Sequence, residues 1–490
     1  MAASSTSRFS GEIPRVRELE RLLLRGPRSA AELTTALSLS QPTLSRTIHA
    51  MAGSVTNFRI AGDRTPKYAL LRPLLAGLAS RQRVYRVTHT GSVENFAELE
   101  FLSGGATLER RGSTARLYEG LPPYMAFSAP SGFLGRQVAH AAASDLQFPD
   151  SLKDWNDDHR VAWLFTRGMN LSGNLVFGDA PLHLEMAFRQ VRAIPASAKL
   201  THYVTMAMVL KGAAYGSSAG GEQPKFLAIT KDTGHVIVKF AKKGTRMADL
   251  LPLEHLALNA LAESHVPAAR SQLLASGTHV FLEIERFDRS AAHGRIGMLS
   301  AGAVDDELFG QRDTWPQFAA RCVQSKRLAP EDARHIDTMA AFSELIGNTD
   351  RHFENISVLL NEAGEFASVA PAYDILPMRY APIGGGVDPA LVPIEPKVGT
   401  IGAKPEVWAR AAEAADRFWS AVQTAQLAAP ISRKMRSIAA ANLAVARRFA
   451  APLLPAATLT ATSAPSRATP RPQPRSQSAR ARTSRSSRSS

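Results

Sequence analysis

The stretch that constrains this chain most runs from Gly347 to Met378, GNTDRHFENISVLLNEAGEFASVAPAYDILPM. Its apolar run Ile356 to Leu360, the turn text Asn361-Glu362-Ala363-Gly364-Glu365 and the returning run Phe366 to Val369 predict a β-hairpin. A hairpin brings its two ends together, so Asn355 before the first strand and Asp374 after the second meet at one end of it. Asp350 lies five residues ahead of Asn355. Two carboxylates and an amide then converge, the oxygen donors Mg2+ takes when it also holds phosphates. Two ordinary loops, one capping a helix through Asn348, Thr349 and Asp350, would leave the same text. The rest of the chain has to decide.

An Asp, four residues, an Asn, a hairpin and a second Asp is also the order found in a protein-kinase active site, so its other parts are sought upstream. Tyr215 to Lys225, YGSSAGGEQPK, is a run of small residues that lets backbone N–H groups approach an anion, although it matches neither of the common phosphate-loop patterns. Phe226 to Thr230 and His235 to Phe240 predict a hairpin around Lys231-Asp232-Thr233-Gly234. On its second strand Val236, Val238 and Phe240 share one face, and Lys239 points the other way with Ile237. Leu250, Glu254, Ala257, Leu258 and Leu261 recur at helical spacing, which sets Glu254 on an apolar face. A buried carboxylate is costly unless paired, and Lys239 is the natural partner. A solvated lysine and a glutamate snorkelling at the helix edge are the plain alternative. Phe281 to Arg289 then leaves a strand for a loop, where a hinge touching adenine would lie. A helix opening at Pro330 carries Ile336, Met339, Phe342 and Ile346 on its core face and ends at Gly347. Val407 to Ala425 and Ile431 to Phe449 read as further helices.

The N-terminal text is of another kind. Val16, Leu19, Leu22 and Leu23 have helical spacing, Gly26-Pro27 breaks it, and Ser29 to Glu32 opens a second helix as a capping box. Ser40-Gln41-Pro42-Thr43 begins a third, with proline in its first turn. Leu44, Ile48 and Met51 face inward on it, and Gln41, Thr43, Arg46 and Thr47 outward. Val55 to Ile60, the turn Ala61 to Arg64 and Thr65 to Leu70 form a hairpin with basic tips. That is winged helix-turn-helix anatomy, with Gln41, Thr43, Arg46, Arg64 and Lys67 as candidate contacts to duplex DNA; a small helical protein-interaction module would look similar. Between it and the glycine-rich stretch, Val84 to His89 and Glu98 to Leu102 alternate like strands and Arg160 to Phe165 is helical, which suggests a β-rich module.

Composition agrees with several parts. The chain has 490 residues, enough for two or three domains, and a net charge of +15 that favours an anionic partner. From Ala457 onward it has no acidic residue and carries Arg467, Arg471, Arg475, Arg480, Arg482, Arg485 and Arg488, nearly half of that excess, in a Ser/Pro/Arg-rich tail expected to be disordered. One cysteine, Cys322, excludes an intrachain disulfide and a Cys-based metal site and suits a reducing compartment. No secretory leader and no apolar run of about 18 residues is legible, so a cytoplasmic protein with no membrane partner is expected.

Taken together, GSSAGGEQPKF, VIVKF, EIERFDR, IGNTDRHFEN and APAYDILP, in this order, resemble the motifs of the HipA family of bacterial toxin serine/threonine kinases, across roughly residues 80 to 450. LPPYMAFSAPSGFLGR and MNLSGNLVFGD resemble that family's N-terminal β-rich subdomain. A fused winged helix resembles the YjjJ-type subgroup; other members borrow DNA binding from a separate antitoxin. The resemblance implies an α+β, two-lobed kinase-like fold: a winged helix-turn-helix domain at 1–78, a β-rich subdomain at 79–195, an N-lobe at 196–290, a helical C-lobe at 291–452 and a tail at 453–490. It implies ATP-dependent phosphorylation of a protein hydroxyl, with the translation apparatus as one source of substrate, and a possible antitoxin partner. Asp350 would be the catalytic aspartate, Asn355 and Asp374 the Mg2+ ligands, and Lys239, backed by Glu254, the phosphate-binding lysine. Ala219, Gly220, Gly221, Glu222, Gln223, Lys225, Glu285, Arg286, Phe287, His352, Asn355, Tyr373 and Asp374 would contact ATP. The family's loop usually reads AGAQEK, and AGGEQPK here is one residue longer, which leaves open whether Ser217 or Ser218 is the autophosphorylated serine. Two other functions fit the same text: a DNA-binding regulator whose kinase-like body senses a ligand, and a nucleotide hydrolase without a protein acceptor.

Overall fold

The computed structural model describes residues 6–60, 62–212, 223–290, 293–383 and 386–454. Ala61 of the first hairpin turn, Ser217 to Glu222 of the glycine-rich stretch and residues 455–490 of the tail lie outside them.

The chain opens with α1 (Thr6–Leu23), the two-residue strand β1 (Arg28–Ser29), α2 (Ala30–Leu37), α3 (Gln41–Ala50), β2 (Val55–Phe58) and β3 (Lys67–Leu70). Ser29 caps α2 as the sequence predicts: its hydroxyl accepts the Glu32 N–H while Glu32 accepts the Ser29 N–H. Leu19, Leu23, Leu33, Leu44 and Met51 form one core with Leu70. Thr47 corrects the outward set on α3. It is buried, its hydroxyl donates to the Thr43 carbonyl, and three-residue spacing from Leu44 places it on the inner stripe. The strands form an antiparallel sheet in the order β1-β3-β2. This sheet does not stand free: Phe58, Ala69 and Leu71 bury against Leu102 and Leu108 of the next unit. There the buried Glu100 accepts from Thr56 at 2.7 Å and pairs with Arg81 and Arg110.

The next unit is a five-stranded antiparallel sheet, β7-β6-β5-β4-β8, built from β4 (Arg81–Val87), β5 (Val93–Phe101), β6 (Thr107–Arg111), β7 (Thr114–Tyr118) and β8 (Leu175–Phe177). Four helices accompany it: α4 (Pro123–Ser128), α5 (Gly132–Asp145), α6 (Asp157–Arg167) and α7 (Asp179–Phe188). The β-rich expectation is therefore corrected to a balanced mixture. Pro123 starts α4, where its missing N–H is harmless. Asn156 caps α6, whose Val161, Ala162, Leu164 and Phe165 are buried.

After α8 (Ala196–Gly212) come β9 (Lys225–Thr230), β10 (Gly234–Lys242), α9 (Arg246–Glu263), β11 (Ser271–Ala275) and β12 (His279–Glu285). The four strands order as β11-β12-β10-β9, and Lys239 lies in the centre between Leu282 and Lys225. Below this sheet stand β13 (Gly297–Ser300), α10 (Ala301–Leu308), α11 (Trp315–Gln324), α12 (Pro330–Ile346), β14 (Ser357–Leu360), β15 (Phe366–Val369), α13 (Pro405–Thr424) and α14 (Arg433–Ala450). The hairpin β14-β15 pairs Val358 with Val369, and β13 adds a third strand from 60 positions upstream, for which the sequence offers no local signal. Gly347 ends α12 with φ 75°; a Cβ there would also come within 2.8 Å of Ile394. Trp419 of α13 donates its indole N–H to the Leu345 carbonyl and so clamps the end of α12 that delivers Asp350.

Candidate active site

The site is built where the four-stranded sheet faces the β14-β15 hairpin. Lys239 is 5% exposed and Glu254 1% exposed, on an α9 face otherwise filled by leucine and alanine. The ammonium donates to both Glu254 oxygens, at 2.7 and 2.8 Å, and to Asp374 Oδ1 at 2.6 Å. Burial opposes the charge on Lys239, but Asp374 and then Glu254 outweigh it and raise its pKa. Burial likewise raises the Glu254 carboxyl, against the pull of Lys239. Burial opposes ionisation of Asp374 too, yet Lys239 and Lys225 hold its carboxyl down at about 2. Asp374 has φ 56°, a left-handed conformation that aspartate tolerates better than most residues.

The catalytic-loop side is tied to Asp374 through its neighbour. Tyr373 donates its hydroxyl hydrogen to the Glu354 carbonyl at 2.8 Å and accepts from Ser357 at 2.7 Å. Asn348 Oδ1 receives the Asp350 N–H at 3.1 Å, and Asn355 Nδ2 donates to the Asp350 carbonyl at 2.9 Å. The Asp350 carboxyl is 43% exposed, with His352 Nε2 at 3.6 Å. His352 Nδ1 stands 3.2 Å from Glu354, and that bond, helped by Asp350, raises the imidazole pKa against burial. Glu354 is held at about 2, first by His352 and, against burial, by Arg312.

The Arg286 side chain is engaged elsewhere: it is 6% exposed, its guanidinium is bidentate on Asp288, and it also bonds Asn170 and the Leu171 carbonyl. The strand ends at Glu285, so the side chain turns toward α7's unit instead of the site. Glu285 pairs loosely with Arg270 at 3.6 Å. Phe287 does lie at the site, its ring 5.8 Å from that of Tyr373. Gln223 donates to the Phe240 carbonyl, and Lys225 lies within electrostatic reach of both Glu254 and Asp374. In the N-terminal unit, Gln41, Arg46 and Arg64 are exposed and Thr43 half-buried, while Lys67 sits within β3 and is 3.3 Å from Asp63.

Residues the sequence did not nominate complete the surroundings. Trp315 donates its indole N–H to the His352 carbonyl at 3.1 Å, and Thr314 meets Thr400 at 2.8 Å. With Asp350, Arg351 and His352 they line a cavity of about 520 Å³. Trp315 stands 35 positions ahead of Asp350 and Thr400 48 beyond His352, and nothing local in the text marks Trp315 or Thr400 as more than a helix start and a loop residue.

The donor set suits Mg2+ shared with phosphates. The Asn355 amide spends its N–H on Asp350, which leaves its oxygen for a cation, and Asp374 is ionised. Among the described residues no group of three or more His, Cys, Asp or Glu is placed to hold a metal ion.

Comparison with known proteins follows the same lines. The chain is 34% identical over 419 residues to the protein named Toxin YjjJ of Escherichia coli (strain K12), covering 83% of this chain and 92% of that one. It belongs to the HipA family of toxins. Two family models match: the YjjJ-like toxin middle domain over residues 78–186 and the HipA-like C-terminal domain over 217–443. Among solved structures, the Shewanella oneidensis MR-1 HipA of a complex with HipB and operator DNA aligns with TM-score 0.46 and 14% identity, over 74% of this chain and 97% of that one. The Helicobacter pylori proinflammatory kinase CtkA aligns with TM-score 0.33 and 10% identity, over 46% and 90%. The HipA-like match thus takes in Lys239, Glu254, Asp350, Asn355 and Asp374, and the YjjJ-like match the sheet that buries Glu100. No helix among the described residues is long and apolar enough to cross a membrane.

Proposed function

We propose that this HipA-family chain is an ATP-dependent protein kinase that transfers the γ-phosphate to a serine or threonine hydroxyl. The observation that carries the reading is the buried triplet at Lys239: a cation fixed by Glu254 from behind and by Asp374 in front. Such a lysine is oriented for the α- and β-phosphates, and Asn355 and Asp374 would hold the cation that offsets charge on the transferred group. Phe287, against Tyr373, offers an aromatic face for the adenine. Asp350, exposed and hydrogen-bonded through its backbone, orients the acceptor hydroxyl and takes its proton. The 520 Å³ cavity beside Asp350 is lined by none of Lys239, Glu254 or Asp374, which suits an acceptor approaching from the side opposite the nucleotide.

The N-terminal unit fits a winged helix that binds duplex DNA. Arg46 and Gln41 are exposed on α3 and Arg64 on the following turn, available to base edges and phosphates. Its hairpin is anchored to the five-stranded sheet through Thr56 and Glu100.

The test is incubation of purified protein with γ-labelled ATP and cell lysate. A labelled acceptor protein that disappears with Asp350→Ala supports the kinase. Phosphate release without a labelled protein would make the chain a hydrolase, and intact ATP would leave a DNA-binding regulator with a ligand-sensing body.

A further inference from the structure

A second charged site lies away from the nucleotide, where α7, β10 and the chain beyond β12 meet. Arg189, Arg289 and Arg295, with His235 and His293, line a small pocket there, and Glu185 is the one carboxylate among the described lining residues. The other carboxylate nearby, Asp288, is already shared by Arg286 and Arg289 at 2.8 and 2.7 Å. Arg189 spends one N–H on the Gly91 carbonyl. Arg295 is 5% exposed; its Nη2 pairs with Glu185 at 2.5 Å, but its Nη1 is buried without a hydrogen-bond partner among the described residues.

The cations feel one another. Burial, then Arg286, depresses Arg289; burial, then Arg295, depresses Arg189. Burial and then Arg289, Arg286 and Arg295 push His235 down to about 4, so at neutral pH it is an uncharged ring able to donate one N–H. A buried guanidinium N–H left unpaired is costly. Water would meet that hydrogen bond but leave the excess positive charge untouched; an anion meets both needs. The pocket, of about 20 Å³, has room for a particle of water or halide size.

We infer that this pocket binds one small monovalent inorganic anion, with chloride as the abundant candidate, held on Arg295 Nη1 and surrounded by Arg189 and Arg289. Its role is to neutralise the junction between the sheet-bearing unit of β4 to β8 and the loop that follows β12. The inference is independent of phosphoryl transfer and stands whether or not the chain is a kinase.

Bromide is the probe. Crystals of the full chain soaked in sodium bromide should show an anomalous peak within hydrogen-bonding distance of Arg295 Nη1. In solution, exchanging gluconate for bromide at constant ionic strength should raise the Tm saturably, by roughly 2–4 °C. Arg295→Met should abolish the difference between the two salts. Glu185→Gln, which removes the competing negative charge and keeps the shape, should lower the bromide concentration at half effect. A water in place of the peak, with equal Tm in both salts, overturns the site whatever the variants do. A peak without a Tm difference means an adventitious ion only and overturns the neutralising role.

Discussion

Replacing Glu254 by glutamine would remove one charge from the buried set at Lys239 while keeping its volume. The pair is nearly free of water, with bonds of 2.7 and 2.8 Å, and stripping one partner from such a pair costs about 3–5 kcal/mol when the other charge is left alone. Lys239 is not left alone here, because Asp374 stays 2.6 Å away and the glutamine carbonyl still accepts one bond. The loss should therefore fall to about 1–3 kcal/mol, read as a lower urea midpoint at unchanged slope. The functional effect should exceed the structural one. With the Glu254 charge gone, Asp374 is the one carboxylate left on Lys239 and draws it forward, and a displacement near 1 Å at a positioning group costs on the order of 100-fold in rate. Labelled-phosphate transfer measured under conditions where the variant is fully folded separates the two effects. Adding Lys239→Met to the same background should cost less than Lys239→Met alone, with a coupling of roughly 0.5–3 kcal/mol. If Glu254→Gln stays within about 0.5 kcal/mol of the parent and transfers phosphate normally, the buried pair does not exist in solution and the reasoning fails.

Three other expectations can be checked directly. Asp374 is a stronger acid folded, at about 2, than its ordinary value of 3.8, so its contribution to stability is complete above pH 4 and is lost as the pH falls through 2; Asp374→Asn should flatten that acid limb of the urea midpoint. In a chain ending at Leu454, which removes the confounding arginine tail, Arg46→Ala should weaken binding to a selected duplex by about 1–3 kcal/mol and Arg64→Ala should weaken all duplexes alike, with a lower salt slope; failure to select any preferred duplex would mark the unit as a protein-interaction module. If Ser217 or Ser218 is phosphorylated by the chain itself, mass spectrometry should find phosphate there in the wild type and none in Asp350→Ala; a phosphoserine beside ATP phosphates would repel them and turn the kinase off.

Much of the local architecture is legible because it is dictated within a few residues. The capping box at Ser29 and Glu32, the left-handed Gly347 that ends α12, and the hairpin around Gly364 each follow from backbone requirements that short text satisfies. Glu254 lies on the buried face that four-residue apolar spacing gives it. Where the local pattern was ambiguous, reading failed. Thr47 is polar and stands three residues from Leu44, so its side depends on what packs over α3. Proline at 123 signals a turn or a helix start equally well, and the middle unit is accordingly more helical than expected.

What the sequence by itself determined is the caps, turns and hairpin around the site and the chemical kind of each candidate side chain: an acid at 350, an amide at 355, an acid at 374, a lysine in a strand. Period and turn chemistry are local, and no later packing can undo them cheaply. Only the tertiary structure decided who meets whom. It brings Asp374 to Lys239 across 135 positions, Trp315 to the His352 carbonyl across 37, and β13 to β14 across the whole of α10 to α12. It also aims the Arg286 side chain at Asp288 and Asn170, because the chain turns as β12 ends and a buried charge is costly unless it is paired.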